Sequence, residues 1–144
     1  MKASNVGQDQ TIQKLLHTVK TIAVVGLSSR PAKPAHYVPA YLQAHGYRII
    51  PVNPNLTRVL GEKAYPDLAS VPDPVDLVLL FRRSEEVYPF VVSAIQIGAG
   101  AVWMQLGIAD EKAAALARSA GLEVVMDACM LVEHKRLVEH KRYL

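Results

Sequence analysis

The chain has 144 residues, 51% of them hydrophobic and 20% charged, with a formal net charge of +3 and a single cysteine. That length and apolar content predict one domain with a core of its own, and they exclude a chain dominated by disorder. No run approaches the roughly 18 to 20 apolar residues of a membrane helix, no N-terminal signal pattern is seen, and one cysteine forms no internal disulfide, so a soluble cytoplasmic protein is expected.

Residues 1–9 are expected to be flexible. A helix is predicted over 10–19, where Ile12, Leu15, Leu16 and Val19 form one apolar stripe. Thr21 to Gly26 (TIAVVG) reads as a buried strand with little alternation, as parallel strands do. A helix follows over 35–45, with Pro34 near its first turn and Gly46 placed to end it. Pro39 falls early in that helix, where a missing N–H is tolerated or gives a mild kink. Tyr47 to Val52 (YRIIPV) is a second strand despite Pro51. A short third strand is expected around Lys63 to Tyr65, then a helical turn over Asp67 to Val71.

Val75 to Phe81 (VDLVLLF) is the clearest strand of the chain. Ser84 is expected to cap the next helix, with Glu85 and Glu86 at its positive end and Gly98 closing it. Ala101 to Gln105 makes a fifth strand, Asp110 caps an Ala-rich helix that ends before Gly121, and Leu122 to Met126 makes the sixth. This alternation predicts an α/β fold: a Rossmann-like, doubly wound, mostly parallel sheet of five to six strands in a single domain. The domain is expected over 1–137, with 138–144 as a C-terminal tail. There LVEHKR at 131–136 recurs at 137–142. Six residues turn a helix by about 600°, so the copies face directions about 120° apart and the second is an extension, not a duplicate site.

Charge is unevenly spread. Residues 10–61 contain Lys14, Lys20, Arg30, Lys33, Arg48 and Arg58 and no acid, a net of +6. Residues 62–144 hold 9 basic against 12 acidic residues, a net of −3, and residues 1–9 cancel.

Ligands of an open parallel sheet bind beyond the carboxyl ends of its strands. After the first strand comes Gly26-Leu27-Ser28-Ser29-Arg30-Pro31-Ala32-Lys33-Pro34. A glycine lets backbone approach a ligand, hydroxyls and helix N-terminal amides hold phosphate oxygens, and Arg30 and Lys33 add charge. The same run also reads as an ordinary turn whose serines cap the helix. Neither G-x-G-x-x-G nor G-x-x-x-x-G-K-[ST] is present. After the second strand, Val52-Asn53-Pro54-Asn55 has no carboxylate until Glu62, where nicotinamide-binding domains place an acid for the ribose hydroxyl. That disfavours NAD and leaves phosphorylated adenosines open, with Lys33 or Arg58 to meet the phosphate; Asn-Pro-Asn is also plain turn chemistry.

After the fourth strand lies Phe81-Arg82-Arg83-Ser84. Either arginine reaches a phosphate, or the pair is solvated and meets Glu85 or Glu86. Trp103-Met104-Gln105-Leu106-Gly107-Ile108 supplies an apolar wall, an amide and a flexible glycine, with Trp103 read as core packing before ligand stacking. Past the sixth strand, Asp127, Cys129, Glu133 and His134 lack zinc-type spacing, so no metal is expected. Cys129 and His134, five residues apart, would not share a helix face. Cys129 is left either as a buried thiol or as one close to a ligand.

The runs VVGLSSRPAKPAHYVPAYLQAHGYRIIPVNPN, VLGEKAYPDLASVPDPVDLVLLFR, WMQLGI and MDACMLVEHKRL follow one another across about residues 10 to 137. In this order they resemble the small stand-alone CoA-binding domain proteins, a family similar to the N-terminal CoA-binding domain of the succinyl-CoA synthetase α subunit. The resemblance implies a Rossmann-like domain that binds coenzyme A or an acyl-CoA. It implies phosphate contacts from Gly26, Ser28, Ser29, Arg30 and Lys33, and an adenosine bordered by Val52, Asn53 and Pro54. Phe81 and Arg82 would flank the cofactor, and Gln105 with Gly107 would lie towards the pantetheine arm. The ribose 3′-phosphate of CoA agrees with the missing carboxylate. The synthetases act through a phosphorylated histidine in a second domain, which nothing here is long enough to be, so no catalytic residue is assigned and no thiokinase activity follows. The second LVEHKR copy lies outside the family pattern. The expected partner is a small-molecule cofactor, neither a membrane nor nucleic acid, for which stacking aromatics are few and no binding motif appears. The alternative is an enzyme using the same pocket, an NADP-linked oxidoreductase or an acyl transferase.

Overall fold

The apolar runs pair into one parallel sheet in a computed structural model that describes residues 3–139. In chain order the elements are α1 (Ala3–Thr18), β1 (Thr21–Val25), α2 (Pro34–Ala44), β2 (Arg48–Val52), β3 (Arg58–Val59) and β4 (Glu62–Lys63). They continue with β5 (Leu77–Leu80), α3 (Tyr88–Gln96), β6 (Ala101–Met104), α4 (Glu111–Ser119), β7 (Glu123–Val125), α5 (Met130–His134) and a π-helical turn, Lys135–Glu139. The main sheet runs β2-β1-β5-β6-β7 with every pairing parallel.

Both faces of the sheet are covered, which is why its strands lack polar alternation. Ile22, Val24, Leu77, Leu79 and Trp103 pack with Ile12 and Leu15 of α1, Val38 and Leu42 of α2, and Met130 of α5. Ala23, Val25, Val78, Leu80 and Met104 face the other way, against Val91 and Ala94 of α3 and Ala113 and Ala117 of α4. Trp103 is fully buried and its indole N–H donates to the Ala128 carbonyl at 2.8 Å, so it serves the core. No helix among the described residues is long and apolar enough to cross a membrane.

The structure departs from the sequence reading in three places. The expected third strand is reduced: β3 and β4 form a separate antiparallel hairpin, and only Tyr65 joins the main sheet, through one parallel bridge to Val52. Pro51 explains this. Its carbonyl accepts from Tyr65 N–H at 3.0 Å on the outer side of β2, so the N–H it lacks is the one a full third strand would have used. Tyr65 thus sits where the third strand of a Rossmann order would run.

Second, Ser84 opens a 3-10 turn, Ser84–Glu86, rather than capping the helix; α3 starts at Tyr88 with Pro89 in its first turn. Third, α1 begins at Ala3, ahead of the predicted 10–19. Asp110 caps α4 as expected, its carboxylate accepting from Lys112 and Ala113 N–H, and Gly46 follows α2 in a left-handed conformation, φ +97°. The second LVEHKR copy starts within the π-helical turn, and its His140, Lys141 and Arg142 lie outside the described residues.

Candidate functional site

The chain leaves β1 towards β2 on one side, while β5 and β6 extend the sheet on the other. A crevice therefore opens beyond the carboxyl ends of β1 and β5, the switch point of the sheet. Gly26 makes it possible. Its φ is +86°, and a Cβ there would lie 2.8 Å from the Phe81 carbonyl oxygen, so only glycine lets the two loops come this close. Its N–H donates to the Val52 carbonyl at 2.9 Å, tying the crevice to β2 as well.

The loop from Gly26 to Lys33 is wired to its surroundings. Pro39 has no N–H, so within α2 the Ala35 carbonyl loses its helical donor; Ser28 N–H takes that place at 3.0 Å. The Ser28 hydroxyl accepts from Arg30 N–H at 3.1 Å, and His36 Nδ1 donates to the Ser28 carbonyl at 2.7 Å. Asn53 clamps the loop from β2: its side-chain amide donates to the Leu27 carbonyl at 3.0 Å while its Oδ1 accepts from Asn55 N–H at 2.9 Å.

Two cavities adjoin along this crevice. The smaller, about 280 Å³, is lined by Gly26, Val52, Asn53, Pro54, Phe81, Arg82 and Phe90 among others, and no carboxylate borders it. The larger groove, about 540 Å³, is lined by Lys33, Tyr37, Phe81, Arg82, Gln105, Leu106, Gly107 and Cys129, with Arg83, Ser84 and Glu85 at its side. Phe81 and Arg82 belong to both. Ser28, Ser29 and Arg30 line neither cavity; they stand on the loop, with Ser29 and Arg30 exposed. Arg58 is not at the site, since its guanidinium donates to the Gly61 carbonyl within the β3–β4 hairpin at 2.8 Å.

The two arginines differ. Arg82 Nε donates to Glu86 Oε1 at 3.2 Å and its guanidinium lies 5.5 Å from the Phe90 ring centre, which fixes the side chain between the cavities. Arg83 is largely exposed and meets Glu86 at 3.2 Å and Glu85 at 3.9 Å. Arg82's hydrogen bond, helped by Arg83, holds the Glu86 carboxyl below its ordinary pKa. Glu86 therefore keeps its charge, and its hold on Arg82, to lower pH than an unpaired glutamate does.

Gln105 is only 4% exposed, yet it lines the groove. Met130 N–H donates to its Oε1 at 3.2 Å, which decides the orientation of the amide, because a backbone donor needs the oxygen. The far wall is braced twice: Gly107 N–H donates to Asp127 at 2.7 Å, and Ala109 N–H to the Ser84 hydroxyl at 2.9 Å. Sequence reasoning missed His36, Tyr37, Ser84 and Asp127 in these roles. Ser84 and Asp127 carried signals, a hydroxyl beside a helix start and an acid past the sixth strand, but neither pointed to its actual donor, Ala109 N–H for Ser84 and Gly107 N–H for Asp127.

Cys129, Glu133 and His134 do not converge. Glu133 pairs with Arg136, whereas His134 is buried, hydrogen-bonded to the Tyr41 hydroxyl at 2.8 Å and packed edge-on against Tyr47. Among the described residues no group of three or more His, Cys, Asp or Glu is placed to hold a metal ion.

Over residues 20–135 the chain matches the family described as CoA binding domain. It is 40% identical over 123 residues to the uncharacterised protein YneT of Bacillus subtilis, covering 85% of this chain and 91% of that one. A hypothetical protein from Pyrococcus horikoshii superposes with a TM-score of 0.87 at 40% identity, over 90% of this chain and 92% of its own. ADP-forming acetate–CoA ligase II of Archaeoglobus fulgidus is 33% identical over 108 residues, which span 72% of this chain but 16% of the ligase.

Proposed function

The chain belongs to the CoA binding domain family, and from that premise we propose that it binds coenzyme A or an acyl-CoA in the two adjoining cavities, as a cytoplasmic binding module without catalysis of its own. The observation that carries this reading is the seat of Arg82. A fixed cation stands where a carboxylate-free cavity meets a longer, apolar-walled groove. CoA has matching parts: an adenosine with a ribose phosphate, a diphosphate, and a long pantetheine arm.

In this reading the adenosine takes the smaller cavity beside Val52, Asn53 and Pro54, with Phe81 as a shared wall. The phosphates lie against Arg82, Lys33 and the loop carrying Gly26, Ser28, Ser29 and Arg30. The arm follows the groove to Gln105 and Gly107, where the Gln105 amide N–H groups meet its carbonyls. In the ligase relative the matched region is a small part of a longer chain, which fits a role in holding CoA while the bond-making steps belong elsewhere.

A thermal-shift comparison tests the proposal. At about a hundred times its Kd, CoA should raise Tm by roughly 5 to 10 °C. Dephospho-CoA should do much less, and NADP and duplex DNA should do nothing. Equal shifts from CoA and dephospho-CoA, or none from either, would remove the phosphate-reading site.

A further inference from the structure

We propose that Cys129 forms a mixed disulfide with the sulfur of coenzyme A, so that the cleft accepts CoA disulfide as a covalent substrate; this rests on the reading that CoA occupies the cleft. Three cavities join end to end. The smaller cavity shares Phe81 and Arg82 with the groove, and the groove shares Leu106 and Cys129 with a third cavity of about 350 Å³. CoA is linear, with its nucleotide at one end and its thiol at the other. A nucleotide seated beside Asn53 and Arg82 sends the thiol towards the far junction, where Cys129 stands as a free, half-buried thiol.

Gln105 is an independent pointer to an arm in this groove. Its Oε1 is taken by Met130 N–H, its NH2 has no partner among the described residues, and every fully buried polar side-chain atom of those residues has one. In a side chain only 4% exposed, the NH2 is therefore the part that opens into the groove. It offers donors to an amide carbonyl of the kind the pantetheine arm carries twice. Beyond the junction, the third cavity leaves room for an acyl group carried by the sulfur in a thioester, while the second nucleotide of CoA disulfide, too large for about 350 Å³, extends into solvent.

The step balances as thiol–disulfide exchange. The Cys129 thiolate attacks one sulfur of CoA disulfide, the Sγ–S bond forms and the sulfur–sulfur bond of the disulfide breaks. The electron pair leaves on the departing CoA sulfur, which takes up the proton that Cys129 gave away. Cys129 is oxidised and one equivalent of CoA thiol is released. Attack by a second small thiol on the CoA sulfur of the adduct releases the Cys129 thiolate and leaves CoA disulfide-bonded to that thiol.

The full chain incubated with CoA disulfide, and separately with glutathione disulfide at the same concentration, tests this by intact mass and peptide mapping. The expected product carries CoA in a disulfide with Cys129, an intact-mass gain of one CoA less two hydrogens, lost again on reduction. It should form at least about tenfold faster than the glutathione adduct, because the bound nucleotide holds the disulfide against the thiol. Adenosine 3′,5′-bisphosphate should slow the CoA reaction and leave the glutathione reaction unchanged. Equal rates with the two disulfides would reduce Cys129 to an ordinary accessible thiol and overturn the proposal. No adduct, with reduced CoA still raising Tm, would overturn the covalent step alone; no adduct and no Tm rise would overturn the binding reading as well.

Discussion

Gly26 controls the site at the scale of a single residue, because it combines a left-handed φ with a 2.8 Å approach to the Phe81 carbonyl. Gly26→Ala imposes both backbone strain and a contact with rigid backbone, so it should destabilise the fold by about 2 to 3 kcal/mol in urea denaturation. CoA affinity should fall with it, since β1 and β5 can no longer hold their loops this close; an unchanged denaturation midpoint would contradict the account. Gly26 was legible in the sequence as the glycine after the first strand. Asn53 was only half legible. Turn chemistry does describe its side chain, which binds Asn55 and Leu27, while its position still borders the smaller cavity. Ser84 was misread because a hydroxyl beside a helix start looks the same whether it caps that helix or accepts from a loop 25 residues away.

Among the elements, α2 shows how a helix irregularity serves a loop. The missing N–H of Pro39 frees the Ala35 carbonyl for Ser28. Pro39→Ala restores a competing helical donor, so exchange at the Ser28 amide should accelerate and CoA affinity fall about fivefold, the worth of one hydrogen bond. An unchanged Ser28 exchange rate would show that this brace does not hold the loop.

The β2–α1 junction gives a prediction about pH. The Tyr47 hydroxyl donates to the Leu16 carbonyl, and burial pushes its pKa from 10.0 up to about 12. The unfolded chain releases that proton first, so this contribution to stability is complete below pH 10.0 and is lost as pH rises through about 12. Tyr47→Phe should be less stable near neutrality, by about 1 kcal/mol, yet lose less on going to pH 11, as read by urea midpoints at the two values. A parallel fall in both proteins would contradict the linkage. The five strands of the sheet were readable from their apolar runs, but the fate of the third was not. Pro51 was visible; which side of β2 its missing N–H would face depends on pairing, and no sequence pattern carries that.

For the whole molecule, the excess of positive charge was legible and its destination only partly so. The acid-free stretch 10–61 does not gather at the cleft as a block. Lys14 pairs with Glu123, Arg48 pairs with Asp73, and Arg58 stays in its hairpin. Lys33 lines the groove, and the fixed cation beside it, Arg82, comes from the acid-richer part of the chain. What concentrates charge at the site is thus the topology, which brings loops distant in sequence to one edge of the sheet. Amide hydrogen exchange with and without saturating CoA tests that most directly. Slowed exchange should be confined to residues 26–33, 53–55, 81–84, 105–107 and 129–130; protection centred instead on the separate cavity bordered by Thr11, Glu111 and Arg118, or none anywhere, would contradict it.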